Sequence, residues 1–557
     1  MSKHAIIYNM FITKIKKHIA KKAKCDYKQV ELSPNTKFGD LTIKCFGLGR
    51  NPDESAKNLA NTIKPDKTIK SVNAIGPYLN FKINYKNFSK NVLQEIFKKQ
   101  TKYGKSDFGK AEKIILEFAH PNTHKSFHIG HLRNIITGES LARILENTGY
   151  KIIRANYQGD VGLHIAKCLY GMENLKLKSK SEKQQLKTKN LNEKIEFLSK
   201  AYVNGSRAYE VNKKAKTEIQ ELNEKIYSQD KSVKKLYQQT RQWSLEYFNK
   251  IYKRLGVKFD RLYFESEVFK QGKKIVLKNL KNNIFKKSQN AIIFQGEKYG
   301  LHNRVFITSR KQATYEAKDL ALAELQIKEY NPSKIIHLVG PEQTEYFKVV
   351  FKALEKINPK FKNKEIHLSY GWVGLKSGKM SSRAGKVVLA ESLLDKIKTK
   401  LNNQEKIAQA AVKYSILKNS RTKDIAFSIK ESINLSGNSG PYLQYTYARI
   451  QSILKKHGKE LCKNTKFCVL TDTEQQLILQ LSLFPEAILQ SAKNFDSSEI
   501  AKYLYNLAKI FNDYYHKVPI LKSKKIEKEF RLVLISVISI VLKKGLYLLG
   551  IETVDKM

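Results

Sequence analysis

A chain of 557 residues, 41% of them hydrophobic, is long enough for several domains with real apolar cores. Its formal net charge of +52 points to a polyanionic partner, since neutralised phosphates release counterions; the charge is mostly lysine spread among abundant Asn, Ile and Tyr, a pattern that bias in the coding DNA also produces. The five cysteines (Cys25, Cys45, Cys168, Cys462, Cys468) form no CxxC pair, which argues against a zinc site and a disulfide framework and suits a reducing cytoplasm.

Residues 1–20 mix lysines into their apolar positions and carry no signal-peptide core. Phe38-Gly39-Asp40 and Gly76-Pro77-Tyr78-Leu79-Asn80-Phe81 punctuate the first block, and Tyr103-Gly104-Lys105-Ser106-Asp107 reads as a linker out of it. Residues 114–118 are an apolar strand-type run followed by a polar loop from Pro121. From His128 the apolar residues Ile129, Leu132, Ile136, Leu141, Ile144 and Leu145 return at helical spacing until Gly149 stops them, and 151–156 is again a strand. A strand–helix–strand unit favours a parallel sheet with anions bound at the helix N-terminus.

Residues 176–190 read as an exposed polar insertion, and helical periodicity resumes over 195–252. A helix is expected over 315–325 and a strand-like run over 367–375. From about Glu391 the chain reads as helices throughout. Leu477, Leu481, Phe484 and Ile488 make one apolar stripe, of a kind that is core far more often than ligand site. The apolar stretch 532–542 ends at Lys543-Lys544, too short to span a bilayer, and is expected as a buried helix.

Two motifs carry chemistry. Pro121-Asn122-Thr123-His124-Lys125-Ser126-Phe127-His128-Ile129-Gly130-His131 places two imidazoles and a glycine where the strand turns into the helix. Gly130 lets a nucleotide approach the backbone, and His128 and His131 can donate hydrogen bonds to phosphate oxygens. Far downstream, Gly378-Lys379-Met380-Ser381-Ser382-Arg383 is a glycine-bracketed cationic loop able to close on a pyrophosphate. Together they form two halves of a nucleoside-triphosphate site.

With these motifs the chain resembles the arginyl-tRNA synthetases, a class I aminoacyl-tRNA synthetase family, along nearly its whole length. Also similar are Asn156-Tyr157-Gln158-Gly159-Asp160-Val161-Gly162, the stretch from Trp243 to Ser266, Ala313-Thr314-Tyr315-Glu316-Ala317-Lys318-Asp319, and Asn438-Ser439-Gly440-Pro441-Tyr442-Leu443-Gln444-Tyr445 with Ala448-Arg449. The resemblance implies an α/β fold in three parts. These are an N-terminal α+β appended domain (1–108), a Rossmann-like parallel-sheet catalytic domain (109–390) with a helical insertion at about 165–245, and a C-terminal all-α helical bundle (391–557) that binds the anticodon.

It further implies ATP bound by His128, Gly130, His131, Lys379, Met380, Ser381 and Ser382, with His128, His131, Lys379 and Lys125 catalytic. Mg²⁺ would be carried by ATP, with no dedicated protein site. L-arginine would be held by Glu117, Asn122, Tyr315, Asp319 and Gln343, a sensible set because a planar, always charged guanidinium needs carboxylate and amide acceptors. The tRNA for arginine would meet Asn80, Tyr442, Arg449, Tyr515 and Met557, exposed aromatics being suited to stack on splayed bases. For Asn80 a strand-end asparagine satisfying backbone is an equal alternative, and for Asp319 taken alone the alternative is a solvated carboxylate on an exposed helix face. The implied enzyme is a cytoplasmic monomer without membrane attachment, whose activation step waits for bound tRNA.

Several positions depart from the family pattern. Ser382 replaces the second lysine often found in the lysine loop, and Lys125 could supply that charge. Ser126 stands where proline is common, His164 where glutamine is usual, Ala317-Lys318 where Thr-Arg is usual, and Tyr346 where histidine is frequent. Two other readings stay open at this level: a class I synthetase for glutamate or a hydrophobic amino acid, the first disfavoured by Glu117 and Asp319 and the second by the lack of a long editing insertion, and an RNA-binding protein that lost catalysis, disfavoured by intact His128, His131 and Lys379.

Overall fold

In a computed structural model, residues 11–174, 190–376, 388–461 and 468–557 are described. The chain falls into two units, one made of Met1–Phe108 with Asn434–Met557, the other of Gly109–Ile433.

In the first unit, α1 (Phe11–Ala23), α2 (Pro52–Thr62) and α3 (Tyr85–Lys99) accompany an antiparallel sheet of β1 (Val30–Leu32), β2 (Leu41–Lys44), β3 (Ile69–Ile75) and β4 (Tyr78–Ile83), in the order β1-β2-β4-β3. The buried Asp40 carboxylate accepts from the Ile83 amide at 2.8 Å and the Tyr85 hydroxyl at 3.1 Å, tying the sheet to the start of α3. The C-terminal part of this unit is helical, with helices Gly440–His457, Asp472–Ser482, Phe484–Asn494, Ser498–Lys517 and Lys525–Leu548. The stripe Leu477, Leu481, Phe484 and Ile488 is fully buried but crosses two helices, because the chain breaks at Leu483 and restarts with Pro485 in the first turn. The stretch 532–542 lies in a longer buried helix, as its composition suggests; among the described residues no helix is long and apolar enough to cross a membrane.

The second unit is built on the parallel sheet that the strand–helix–strand pattern predicts. β5 (Lys113–Glu117) leads through a loop into α4 (Ile129–Asn147) and back to β6 (Lys151–Gln158), and Gly149 sits just past the helix with φ +95°, as expected for the stop. Next come α5 (Leu163–Asn174), α6 (Leu191–Val211), α7 (Lys213–Ser228) and α8 (Lys231–Leu255), then β7 (Arg261–Phe264) and α9 (Glu265–Leu280). A small antiparallel meander follows, β8 (Phe285–Ser288), β9 (Ala291–Phe294) and β10 (Arg304–Ile307); both residues of its first turn, Gln289 and Asn290, have positive φ, the type I′ geometry that suits a two-residue hairpin. The unit continues with α10 (Tyr315–Tyr330), β11 (Lys334–Val339), α11 (Thr344–Ile357) and β12 (Glu365–Ser369). The sheet order is β12-β11-β5-β6-β7, every pair parallel.

One face of this sheet, carrying Ile115, Ile335 and Tyr263, packs on apolar residues of α9, α10 and α11, among them Ile275, Leu320 and Val350. The run expected over 367–375 does not stay in one strand. It leaves the sheet at Ser369, turns at Tyr370 and Gly371, and resumes as β13 (Val373–Leu375), which pairs with β14 (Ile425–Phe427) beyond α12 (Ala390–Lys400) and α13 (Glu405–Leu417). The turn is held by Arg133 of α4, which donates to the carbonyls of Trp372, Arg421 (2.9 Å) and Lys423 (2.6 Å).

Gly171 of α5 and Gly205 of α6 let these helices cross with backbones in contact. A Cβ on Gly205 would lie 1.8 Å from the Lys167 carbonyl oxygen, and one on Gly171 1.9 Å from that of Ala201. Gly205→Ala must therefore push two backbones apart, at a cost of about 1–3 kcal/mol of overpacking. A lowered melting temperature of the folded protein checks this; an unchanged one contradicts it.

Candidate active site

The loop between β5 and α4 is strained and tightly pinned. Ala119, His120 and His124 all have φ between +45° and +80°, a region that non-glycine residues enter only when their surroundings hold them there. The Asn134 side chain of α4 holds this loop: its oxygen accepts from the Ala119 amide, and its nitrogen donates to the Leu338 carbonyl (2.7 Å) and Tyr370 hydroxyl (3.2 Å). Further along, the Thr123 amide donates to the Gly159 carbonyl (2.9 Å) and the Gly159 amide to that of Pro121 (3.1 Å). Asn122 lies so close to Gly159 that a Cβ there would meet its side-chain oxygen at 2.1 Å. His124 is buried, with its ring nitrogens on the hydroxyls of Thr123 (3.0 Å) and Thr240 (2.8 Å); burial pulls its pKa down to about 3, so it is a neutral structural group.

His128 and His131 cap α4 reciprocally. The Gly130 amide donates to His128 Nδ1 and the His128 amide to His131 Nδ1, each at 3.1 Å. An Nδ1 that accepts a hydrogen bond carries no proton, so each neutral ring keeps its proton on Nε2. Burial lowers both pKa values, His131 the more strongly, and keeps the rings neutral. A Cβ on Gly130 would sit 2.9 Å from the His128 ring, so a larger residue here would displace that imidazole from the cap.

These histidines line a cavity of about 420 Å³ with His120, Asn134, Glu342, Tyr370 and Trp372. Lys379, Met380, Ser381 and Ser382 lie outside the described residues. The chain that follows them is bonded to the histidine motif: Ile129 donates to the Val388 carbonyl at 3.1 Å and Ala390 to that of Phe127 at 2.9 Å. Lys125 places its ammonium 4.6 Å from the centre of the Tyr202 ring of α6.

A second cavity, of about 500 Å³, is lined by Glu117, Asn122, Tyr315, Asp319 and Gln343, so the structure brings the five expected arginine ligands together. It shares His120, Val339 and Glu342 with the first cavity. Asp319 faces this space rather than solvent. Its carboxylate accepts from the Tyr346 hydroxyl at 2.6 Å, and burial, aided by the nearby Glu117 charge, pushes its pKa up to about 8. Glu117 differs: its two oxygens accept from His337 Nδ1 (3.0 Å) and Gln326 Nε2 (2.6 Å), and His337 draws its pKa down. Around the rim, Lys318 pairs with Glu265 at 2.5 Å and Arg304 with Glu316 at 3.0 Å. The Glu265 carboxylate keeps Lys318 charged despite its burial.

The expected tRNA contacts fall in the first unit. Asn80 is buried in β4 and donates to the Tyr78 carbonyl at 3.3 Å; the exposed groups beside it are Tyr78 and Phe46, whose rings meet edge-on at 6.0 Å. Tyr442, Arg449 and Tyr515 form one cluster. Arg449 donates to Asn512 Oδ1 (2.6 Å) and the Tyr445 hydroxyl (2.9 Å) and lies 4.7 Å from the Tyr515 ring centre, while Asn512 donates to the Tyr442 hydroxyl (3.0 Å). Met557 is exposed. Sequence reasoning missed His120, Gln326, His337, Glu342, Glu365 and Trp372. Only His120 had a usable signal, its place in the loop beside Asn122; the others approach the site from strands and helices more than 200 residues away from β5.

The sequence matches the family described as tRNA synthetases class I (R), catalytic domain, over residues 92–429, the DALR anticodon binding domain over 443–557, and the arginyl tRNA synthetase N terminal domain over 9–83. It is 35% identical over 557 residues to the arginine–tRNA ligase of Borreliella afzelii, covering 95% of this chain and 94% of that one. To that of Clostridium perfringens it is 32% identical, covering 98% of each. The fold is similar to the Thermus thermophilus arginyl-tRNA synthetase, with a TM-score of 0.79 at 23% identity, covering 98% of this chain and 100% of that one. With a catalytic-domain match over more than half its length and relatives above 30% identity along nearly all of it, the chain belongs to the class I arginyl-tRNA synthetases.

Proposed function

We propose that this chain is an arginine–tRNA ligase that activates L-arginine with ATP and transfers it to the 3′-terminal ribose of its tRNA, releasing AMP and pyrophosphate. The observation that carries the reading is the pair of adjoining cavities. One is lined by the histidine motif, the other by two carboxylates suited to a guanidinium, and His120 and Glu342 border both. A carboxylate entering from the second cavity meets an α-phosphate held in the first.

In the first step an arginine carboxylate oxygen attacks the α-phosphorus of ATP and pyrophosphate leaves, giving arginyl-adenylate. His128 and His131 donate their Nε2–H groups to the oxygens on which charge develops, and being neutral they need no rearrangement of protons. We assign Lys379 and Lys125 to the leaving pyrophosphate, with Gly130, Met380, Ser381 and Ser382 along the nucleotide. Lys125 rests on the Tyr202 ring, close enough for its charge to act on His128 and His131. Glu117 and Asp319 take the guanidinium, Asn122 and Gln343 the polar remainder of the amino acid, and Tyr315 covers the cavity mouth. In the second step the terminal ribose hydroxyl attacks the arginyl carbonyl and AMP leaves.

We assign Mg²⁺ to the phosphates of ATP, whose charge it spreads. We assign residues 109–390 to catalysis and 391–557 to anticodon binding, the latter confined to its part beyond Ile433 because 391–433 fold with the catalytic sheet, with Tyr442, Arg449, Tyr515 and Met557 facing the anticodon. Residues 1–108, with Asn80 as its base contact, take the outer corner of the tRNA. Asn80 reaches a base only if its bond to the Tyr78 carbonyl opens, and Tyr78 and Phe46 are the more accessible stacking partners. We take the enzyme to act as a monomer in the cytoplasm.

ATP–pyrophosphate exchange is expected with arginine alone among the standard amino acids, and only when tRNA is present. Exchange with a different amino acid overturns the pocket assignment, and silence with every one overturns the activity. Lys379→Ala should cut exchange by at least about a hundredfold, the scale of losing one transition-state donor, while tRNA binding in a gel shift stays within about twofold. Asp319 must lose a proton to meet the guanidinium, so arginine affinity should rise as pH increases towards about 8. Calorimetry of arginine binding to the tRNA-bound enzyme across that range tests the sign; the Asp319→Asn variant should bind weakly and lose the dependence.

A further inference from the structure

Three strands place a row of ionisable groups on one face of the parallel sheet. His337 of β11 stands beside Glu117 of β5 and His367 of β12, and Glu365, two residues before His367, points to the same face. Both ring nitrogens of His337 meet a carboxylate: Nδ1 lies 3.0 Å from Glu117 Oε1 and Nε2 2.7 Å from Glu365 Oε2. The side chains of all three are at least nine-tenths buried. A neutral imidazole has one N–H, so one of these contacts would set a lone pair against a carboxylate lone pair; only an imidazolium donates to both. Phe347 stacks on the ring with centroids 5.0 Å apart. His337 does not line the proposed arginine cavity, and neither does Glu365, whereas Glu117 does.

We propose that His337 is a positioning residue for amino-acid selection: as an imidazolium clamped between Glu117 and Glu365, it holds the Glu117 carboxylate negatively charged and fixed in direction before arginine arrives. This rests on the assignment of that cavity to arginine. The physical need is plain. Glu117 and Asp319 line the same cavity, the charge of Glu117 raises the proton affinity of Asp319, and two acids facing one cavity tend to share a proton. A fixed cation behind one of them breaks the tie. Glu117 then stays ionised and Asp319 alone carries the proton that arginine displaces. The bond from Gln326 to the other Glu117 oxygen prevents rotation of the carboxylate. Other titratable groups facing this pair are His120 from the loop after β5, Tyr157 from β6, Asp319 from α10, Tyr346 from α11 and His367 from β12. None of them contacts the second ring nitrogen of His337, which Glu365 occupies.

The test is aminoacylation by the full chain with saturating tRNA, measured for His337→Gln and wild type between about pH 7 and about pH 9. Gln keeps one donor and loses the charge. The KM for arginine should rise at least about tenfold near neutral pH, while the KM for ATP stays within about twofold. The ratio of variant to wild-type KM should shrink as pH increases, because a Glu117 without its cation needs more alkaline solution to ionise. A merely structural role would raise both KM values, or leave a pH-independent deficit; either result, or an unchanged KM for arginine, overturns the proposal. If His337→Gln does not fold, Glu365→Gln serves: it touches the imidazole and not the cavity, and should still raise the arginine KM about threefold or more at alkaline pH. An unchanged KM in that folded variant is equally fatal. Failure of the wild-type chain itself to charge tRNA with arginine would instead remove the reading of the cavity.

Discussion

Recognition of a guanidinium obliges a protein to bury carboxylates and keep them buried when no cation is present. That constraint organises the catalytic unit. An isolated ionised acid in an apolar interior protonates or loses its place unless it is paired. Here Glu117 ends a central strand of a parallel sheet, with apolar neighbours along β5, and is sustained by His337 on one oxygen and Gln326 on the other. Asp319 is handled the opposite way: the Tyr346 hydroxyl bonds it, burial raises its proton affinity, and it waits in the acid form. On the proposed reading, environments that push two acids apart divide the labour between a standing charge and a proton that arginine displaces. Two of the other carboxylates lining the cavity are already paired, Glu265 with Lys318 and Glu316 with Arg304.

Histidine takes three roles in this unit, and the partner atoms decide each one. His128 and His131 meet backbone N–H donors at Nδ1, so they are neutral and present an Nε2 proton. His124 meets hydroxyls, which can donate or accept, and burial keeps it neutral. His337 meets carboxylates at both nitrogens and is charged. On the proposed reading the same side chain is thus a phosphate donor, a structural filler and a fixed cation within one sheet and its loops. The strained backbone at Ala119, His120 and His124 is the cost of turning from β5 into α4 quickly enough to place these groups, and Asn134 supplies the bonds that hold it.

Much of this was legible in the order of residues. The strand–helix–strand unit around the histidine motif follows from an apolar run, a helical period and Gly149, all local signals. The five cavity residues Glu117, Asn122, Tyr315, Asp319 and Gln343 were nameable because the family resemblance implies them, with Asn122, Tyr315 and Asp319 inside its motifs. Boundaries were less legible. The run over 367–375 breaks at Ser369, where Arg133, more than 200 residues upstream, ties the carbonyl of Trp372 to those of Arg421 and Lys423. The stripe from Leu477 to Ile488 keeps its spacing across two helices, since a period of burial does not reveal a break between them.

What the sequence determined by itself, then, is chemistry written in short segments: the histidine motif with Gly130, the parallel-sheet unit, the helical C-terminal region and the family to which they belong. Only the tertiary structure decided protonation and adjacency. Whether a histidine is neutral or charged depends on the atoms that meet its two nitrogens, and those of His337 come from β5 and β12, brought together by a strand order that no local pattern records. Sheet pairing joins segments without regard to their distance along the chain, so charge compensation inside the sheet is a property of the fold and not of any stretch of sequence.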